Sequence, residues 1–368
     1  LFPYTTLFLS VCLIAAALLL GVGRWLLERL LLQLATRRVP DGHLRRSAMA
    51  TAVALTAVFT TGLAAQLLYL GLNWNDILDP DLEALAGSTV RLVCFAAFVT
   101  GLGRALLSVR RPSWRLPPLS DLAAQRLRRI PWLLGAAALL FGLIERISRT
   151  IGSSLPATVA TRGVMALVVS GLIGVAWLRA RGARKQEAAD GEVEHRPLWV
   201  GLLGVAALLG VLVSWLGVAL GYIALAFFVA VQMLWVGVIM TTAYLLHHLL
   251  HDLIHSLLSP RGRSGHRLQA TFQLAPHTLD QTATLLAGIS RVLVTLLALA
   301  ILLTPFGDGP GELLASARQT FSSLHLGVLV IDPGSIFRAL VVLVVGSVLL
   351  RMLKRWMREQ LLPKTTME

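Results

Sequence analysis

Apolar runs of roughly 20 residues recur along the whole chain, each closed by a short polar or arginine-rich stretch. A bilayer hydrocarbon core of about 30 Å is crossed by about 20 apolar residues in a helix. Each run therefore predicts one membrane-crossing helix. Nine runs meet this pattern, at 7–27, 47–70, 88–108, 130–149, 155–178, 198–216, 220–245, 282–304 and 335–353. The predicted fold class is all-α, a polytopic transmembrane helical array over 11–353 with a basic tail at 354–368. The sixth and seventh runs are divided only by Gly217-Val218-Ala219-Leu220-Gly221, a turn without charge. The longest connection, about 246–281, begins as a continuation of the seventh helix. The connections leave no room for a soluble domain.

Composition agrees with the pattern. Hydrophobic residues make up 56% of the 368 positions and charged residues only 14%, with a mean hydropathy of +0.74. A soluble domain carries roughly 25% charged residues, so the excess apolar surface is expected to face lipid. The formal net charge is +14, and only 3 of the 33 basic residues are Lys. The arginines cluster between apolar runs, as in cytoplasmic loops of membrane proteins. That distribution argues against a nucleic-acid partner and for anionic lipid headgroups at the Arg-rich loops. Cys12 and Cys94 lie inside apolar runs and read as small buried hydrophobes. The opening Leu1–Ser10 resembles a translated sequencing-adapter stretch and is expected to be non-native. The chain reads as a fragment cut at both ends.

Basic charge alternates from loop to loop. The loop after the first run holds Arg37, Arg38, Arg45 and Arg46, whereas the next holds Asp76, Asp79, Asp81 and Glu83. The third holds Arg110, Arg111, Arg115, Arg126, Arg128 and Arg129, and the fifth Arg179, Arg181, Arg184 and Lys185. Arg261, Arg263 and Arg267 follow the seventh run, and Arg351, Lys354, Arg355 and Arg358 end or follow the ninth. Of the 33 basic residues, 26 fall on one side and six on the other, with Arg291 inside the eighth run. The positive-inside rule then predicts a multi-pass protein of the bacterial inner membrane, N-terminus periplasmic and C-terminus cytoplasmic.

Few residues suggest chemistry. His247, His251 and His255 recur at i, i+4 and i+8 and share one helical face, with His248 and Asp252 beside them. Two His one turn apart can grip zinc, which makes this file the one weak metal candidate. A metalloprotease would place Glu directly after the first His, and His248 stands there instead. The stronger expectation is an amphipathic extension of the seventh helix, its imidazoles at headgroup level. Arg291 is the intramembrane charge candidate, expected to snorkel or to pair between helices. Glu145 and Arg149 are spaced for a local ion pair. Trp25, Trp74, Trp132, Trp199 and Trp356 lie near predicted span ends, as in an interfacial aromatic belt. No residue pattern points to catalysis or to a cofactor.

The C-terminal stretch carries the one family signal. Ile331-Asp332-Pro333-Gly334-Ser335 precedes an apolar helix, which ends Lys354-Arg355-Trp356-Met357-Arg358-Glu359-Gln360-Leu361-Leu362-Pro363-Lys364-Thr365. This resembles the helix entering the channel core of large, multi-span MscS-type mechanosensitive channels, in the subgroup with an N-terminal periplasmic domain of the DUF3772 type. The resemblance implies a peripheral sensor array around a homo-oligomeric pore that takes part in osmotic protection. It also implies two further spans and a cytoplasmic β-domain, neither of which is in this sequence, so no residue here is assigned to the pore.

Two other classes stay open. A secondary transporter predicts interrupted helices with internal Pro and buried charge near the midplane; here Pro131, Pro156, Pro197 and Pro305 sit at span edges. A membrane-embedded enzyme predicts several carboxylates at one interface. Asp76, Asp79, Asp81 and Glu83 are the only dense acidic set, and a solvated outer loop accounts for them.

Overall fold

Long helices form because the apolar runs are rich in Leu and Ala, which lose little side-chain freedom in a helix. The computed structural model describes residues 2–38, 43–74, 79–108, 115–117, 120–189, 198–258 and 276–303. Among the described residues there are helices and connections but no strand. Helix α1 (Phe2–Leu18) continues through a π-helical turn at Leu19–Gly23 into α2 (Arg24–Arg38). Then follow α3 (His43–Leu72), α4 (Pro80–Leu107), the short α5 (Asp121–Leu127), α6 (Ile130–Ile151), α7 (Leu155–Ala189), α8 (Leu198–Ala219), α9 (Ile223–Leu258) and α10 (Pro276–Leu303). Among the described residues, eight segments are long and apolar enough to cross a membrane, and they coincide with the first eight predicted runs. The ninth run at 335–353, the stretch from Ile331 to Thr365 and the basic tail lie outside the described residues.

Local chemistry sets the breaks. Ser120 accepts a hydrogen bond from the Ala123 N–H and starts α5. Pro80 and Pro131 occupy first-turn positions of α4 and α6, where a missing N–H costs nothing. The uncharged break at 217–221 is a true turn: α8 ends at Ala219, and Gly221 adopts φ +84°, a region that favours glycine.

The chain divides into two compact units, Leu1–Leu245 and Leu246–Glu368. In the first, α3 packs on α1, α2 and α4, α4 on α6, and α7 on α5, α6 and α8. Its core joins Ala50 and Ala54 of α3, Val99, Leu102 and Ala105 of α4, Ala138 of α6, Ala166 and Val169 of α7, and Ala226, Ala230 and Leu234 of α9. Small residues predominate at these contacts. In lipid, helix association gains little from apolar burial and depends on close backbone approach. A Cβ on Gly101 would stand 3.0 Å from the Ala54 carbonyl oxygen, and one on Gly135 2.9 Å from that of Ala96. Large apolar side chains point outward instead, among them Leu55, Phe59, Leu202, Leu220 and Leu293. Both cysteines lie against glycines of α3, Cys12 against Gly71 and Cys94 against Gly62.

In the second unit, Ile254 packs with Ala283 and Ala287 of α10, and Leu258 joins them.

Candidate functional site

The histidine file and Arg291 belong to the second unit. Helix α9 has 36 residues, a length of about 54 Å at 1.5 Å per residue. That exceeds a hydrocarbon core of about 30 Å, and the helix runs unbroken through His247, His251 and His255. His247, His251 and His255 stand in file, with ring centroids 6.2 Å and 4.5 Å apart, and His248 lies 5.6 Å from His247. Asp252 is largely buried, and its Oδ1 is 3.6 Å from His251 Nδ1. The Nδ1 of His247 is buried with no hydrogen-bond partner among the described residues.

Helix α10 brings the second predicted residue to this file. Ala283 and Ala287 meet Ile254. One turn further along stands Arg291, whose charge acts on His247. Sequence spacing treats the histidines and Arg291 as separate features; the pairing of α9 with α10 joins them. The result is a row of imidazoles and a guanidinium with one carboxylate, Asp252, already beside His251. Among the described residues, no group of three or more His, Cys, Asp or Glu side chains is arranged to hold a metal ion.

A second polar group, in the first unit, centres on Glu145 of α6. The expected pair with Arg149 is present, Nη2 to Oε1 at 3.1 Å. Arg162 of α7 reaches the same oxygen at 3.2 Å. The charges of Arg91 and Arg149 also act on Arg146. Among the described residues, Glu145 is thus the one carboxylate in a group of arginines, which suits a tie between helix ends. The sequence signals only the i, i+4 half of this group.

Sequence reasoning also passed over three ties. Arg104 of α4 reaches Glu28 of α2 at 3.3 Å. Trp215 of α8 donates from Nε1 to Ser170 Oγ of α7 at 3.2 Å. Ser214 donates to the Ala226 carbonyl at 3.2 Å. Lone serines in apolar runs carry no periodic signal, so only tertiary contact reveals their role. Of the interfacial tryptophans, Trp25, Trp74 and Trp132 are exposed. The side chain of Trp199 and all of Trp356 lie outside the described residues.

The described residues define an all-helical chain in which eight helical segments are long and apolar enough to cross a membrane. No family model, curated protein or solved structure matches it.

Proposed function

We propose that this chain is the membrane-embedded, tension-sensing helical array of an MscS-type mechanosensitive channel, multi-pass in a bacterial inner membrane. The observation that carries the reading is the sequence from Ile331 to Thr365, with its apolar run, Arg-rich end and Leu362-Pro363-Lys364-Thr365 exit. The eight apolar helical segments among the described residues, joined largely by short connections, support it. So does their packing, with alanine and glycine between helices and large side chains outside. Such helices can tilt against one another with little loss of buried area. A tilt changes the membrane area the array occupies, and tension favours the larger area. In this reading the array surrounds a homo-oligomeric pore formed by residues beyond it.

The test is patch-clamp recording of the full-length gene product in liposomes under graded suction. Tension-gated currents whose threshold shifts when the array is altered would uphold the proposal. A full-length product without tension-gated current would overturn it. Reading the roughly 200 codons after Glu368 gives a quicker check, since the proposal requires two further apolar spans and a β-rich region.

Secondary transport is the second reading, favoured by Gln232. Its Oε1 is buried in the apolar part of α9 with no hydrogen-bond partner among the described residues, as a polar substrate contact would be. Substrate-driven uptake without tension-gated current would select it.

A further inference from the structure

A cavity of about 930 Å³ opens in the first unit, lined by Gln125, Arg126, Arg128, Arg129, Leu178 and Arg179. Among the described residues, four of the six that line it are arginines and none is acidic. The two described carboxylates nearest in sequence are engaged elsewhere. Asp121 Oδ1 accepts from Arg115 at 2.8 Å, and Glu187 is hydrogen-bonded by Ser120.

The cavity wall is braced. Arg126 donates from Nη2 to Gln186 Oε1 at 2.7 Å, and Arg179 donates from Nη1 to the Arg126 carbonyl at 3.3 Å. Gly182 makes room for this arrangement, because a Cβ there would stand 3.1 Å from Arg126 Nη1. These contacts hold α5 against α7 while Arg128 and Arg129, in the turn before α6, stay exposed. Clustered guanidiniums attract an anion, and their planar forks match phosphate oxygens.

The position of the cavity selects the source of that phosphate. It lies where the apolar part of α7 gives way, at Leu178–Arg179, to the charged stretch ending in Ala189. Exposed Trp132 follows at the start of α6, as an aromatic anchor at a membrane boundary does. Leu178 adds an apolar wall beside the arginines.

We propose that this cavity is a specific site for the phosphate headgroup of an anionic phospholipid, bound by Arg126, Arg128, Arg129 and Arg179 with the acyl chains along the adjoining apolar surface of α7. The site rests on the membrane placement of the chain and is independent of the channel reading. Loss of tension gating would therefore leave it standing.

The test is native mass spectrometry of the purified full chain in detergent, titrated with phosphatidylglycerol, cardiolipin or phosphatidylcholine. The anionic lipids are expected to be retained preferentially. Replacing Arg128→Gln and Arg129→Gln together should weaken that retention on the order of tenfold, whereas Arg149→Gln, in a different group, should not. Gly182→Leu provides a second variant. It favours the helix while displacing Arg126, and should also reduce retention. Equal retention of phosphatidylcholine would overturn the proposal, as would unchanged binding in both cavity variants. Displacement of the lipid by millimolar inorganic phosphate, with phosphate itself retained, would reassign the cavity to a free anion and overturn the lipid assignment.

Discussion

Trp215 of α8 donates its indole N–H to Ser170 Oγ of α7 across 3.2 Å, and Ser170 in turn donates to the Ala166 carbonyl. Two polar groups from separate apolar helices thus satisfy each other. In hydrocarbon an unpaired indole N–H would find no water.

This tie should be measurable. Ser170→Ala and Trp215→Phe are each expected to destabilise the bundle. A double-mutant cycle should give a coupling of about 0.6 kcal/mol, the usual size of an interhelical hydrogen bond in membranes. Unfolding in mixed micelles, followed by circular dichroism, provides the measurement. Zero coupling would show that the two helices associate by packing alone.

Glycine substitutions should separate close approach from helix propensity. Gly135→Ala drives a methyl toward the Ala96 carbonyl, a backbone atom that cannot turn aside. A loss of about 1–3 kcal/mol is expected from the overpacking. Gly87→Ala meets nothing within 4 Å and should be neutral, or stabilising by up to about 1 kcal/mol. The opposite signs, read in the same unfolding assay, are the check.

Glu145 should couple more strongly to Arg162 than to Arg149. The Arg162 side chain is 49% exposed and that of Arg149 72%. Exposed pairs contribute only about 0–1 kcal/mol. Cycles pairing Glu145→Gln with Arg162→Gln and with Arg149→Gln should both fall in that range, the former higher. The reverse order would mean that α6 and α7 are not tied at this point.

The arginine distribution predicts a sided topology. Alkaline phosphatase fused after Gly152 should be active if the orientation that the arginines predict holds, with that connection on the periplasmic side. A fluorescent protein fused after Ala189 should fluoresce in the cytoplasm. The inverse pattern would invalidate the orientation.

Thiol labelling tests the packing of α1 and α4 on α3. Cys12 is buried against Gly71, and Cys94 is half-buried against Gly62. Maleimide should react slowly with both in the folded protein and fully after denaturation. Rapid labelling of Cys12 in the folded state would refute its packed position.

The first eight long apolar helices and the turn at 217–221 were determined by the sequence alone, because both depend on residues close along the chain, whereas the short α5 was not signalled by the apolar pattern. Twenty consecutive apolar residues fix a span, Gly221 fixes the turn at φ +84°, and i, i+4 spacing fixes the Glu145–Arg149 pair. Partners between helices were decided only by tertiary structure. Nothing in the periodicity joins Arg162 to Glu145, Arg291 to His247, or Arg126, Arg128 and Arg129 to Arg179. In lipid, apolar faces look alike to one another, so pattern cannot choose which face meets which. That choice falls to shape, to the glycines and alanines that admit a neighbouring backbone, and to the few polar groups that must find a partner there.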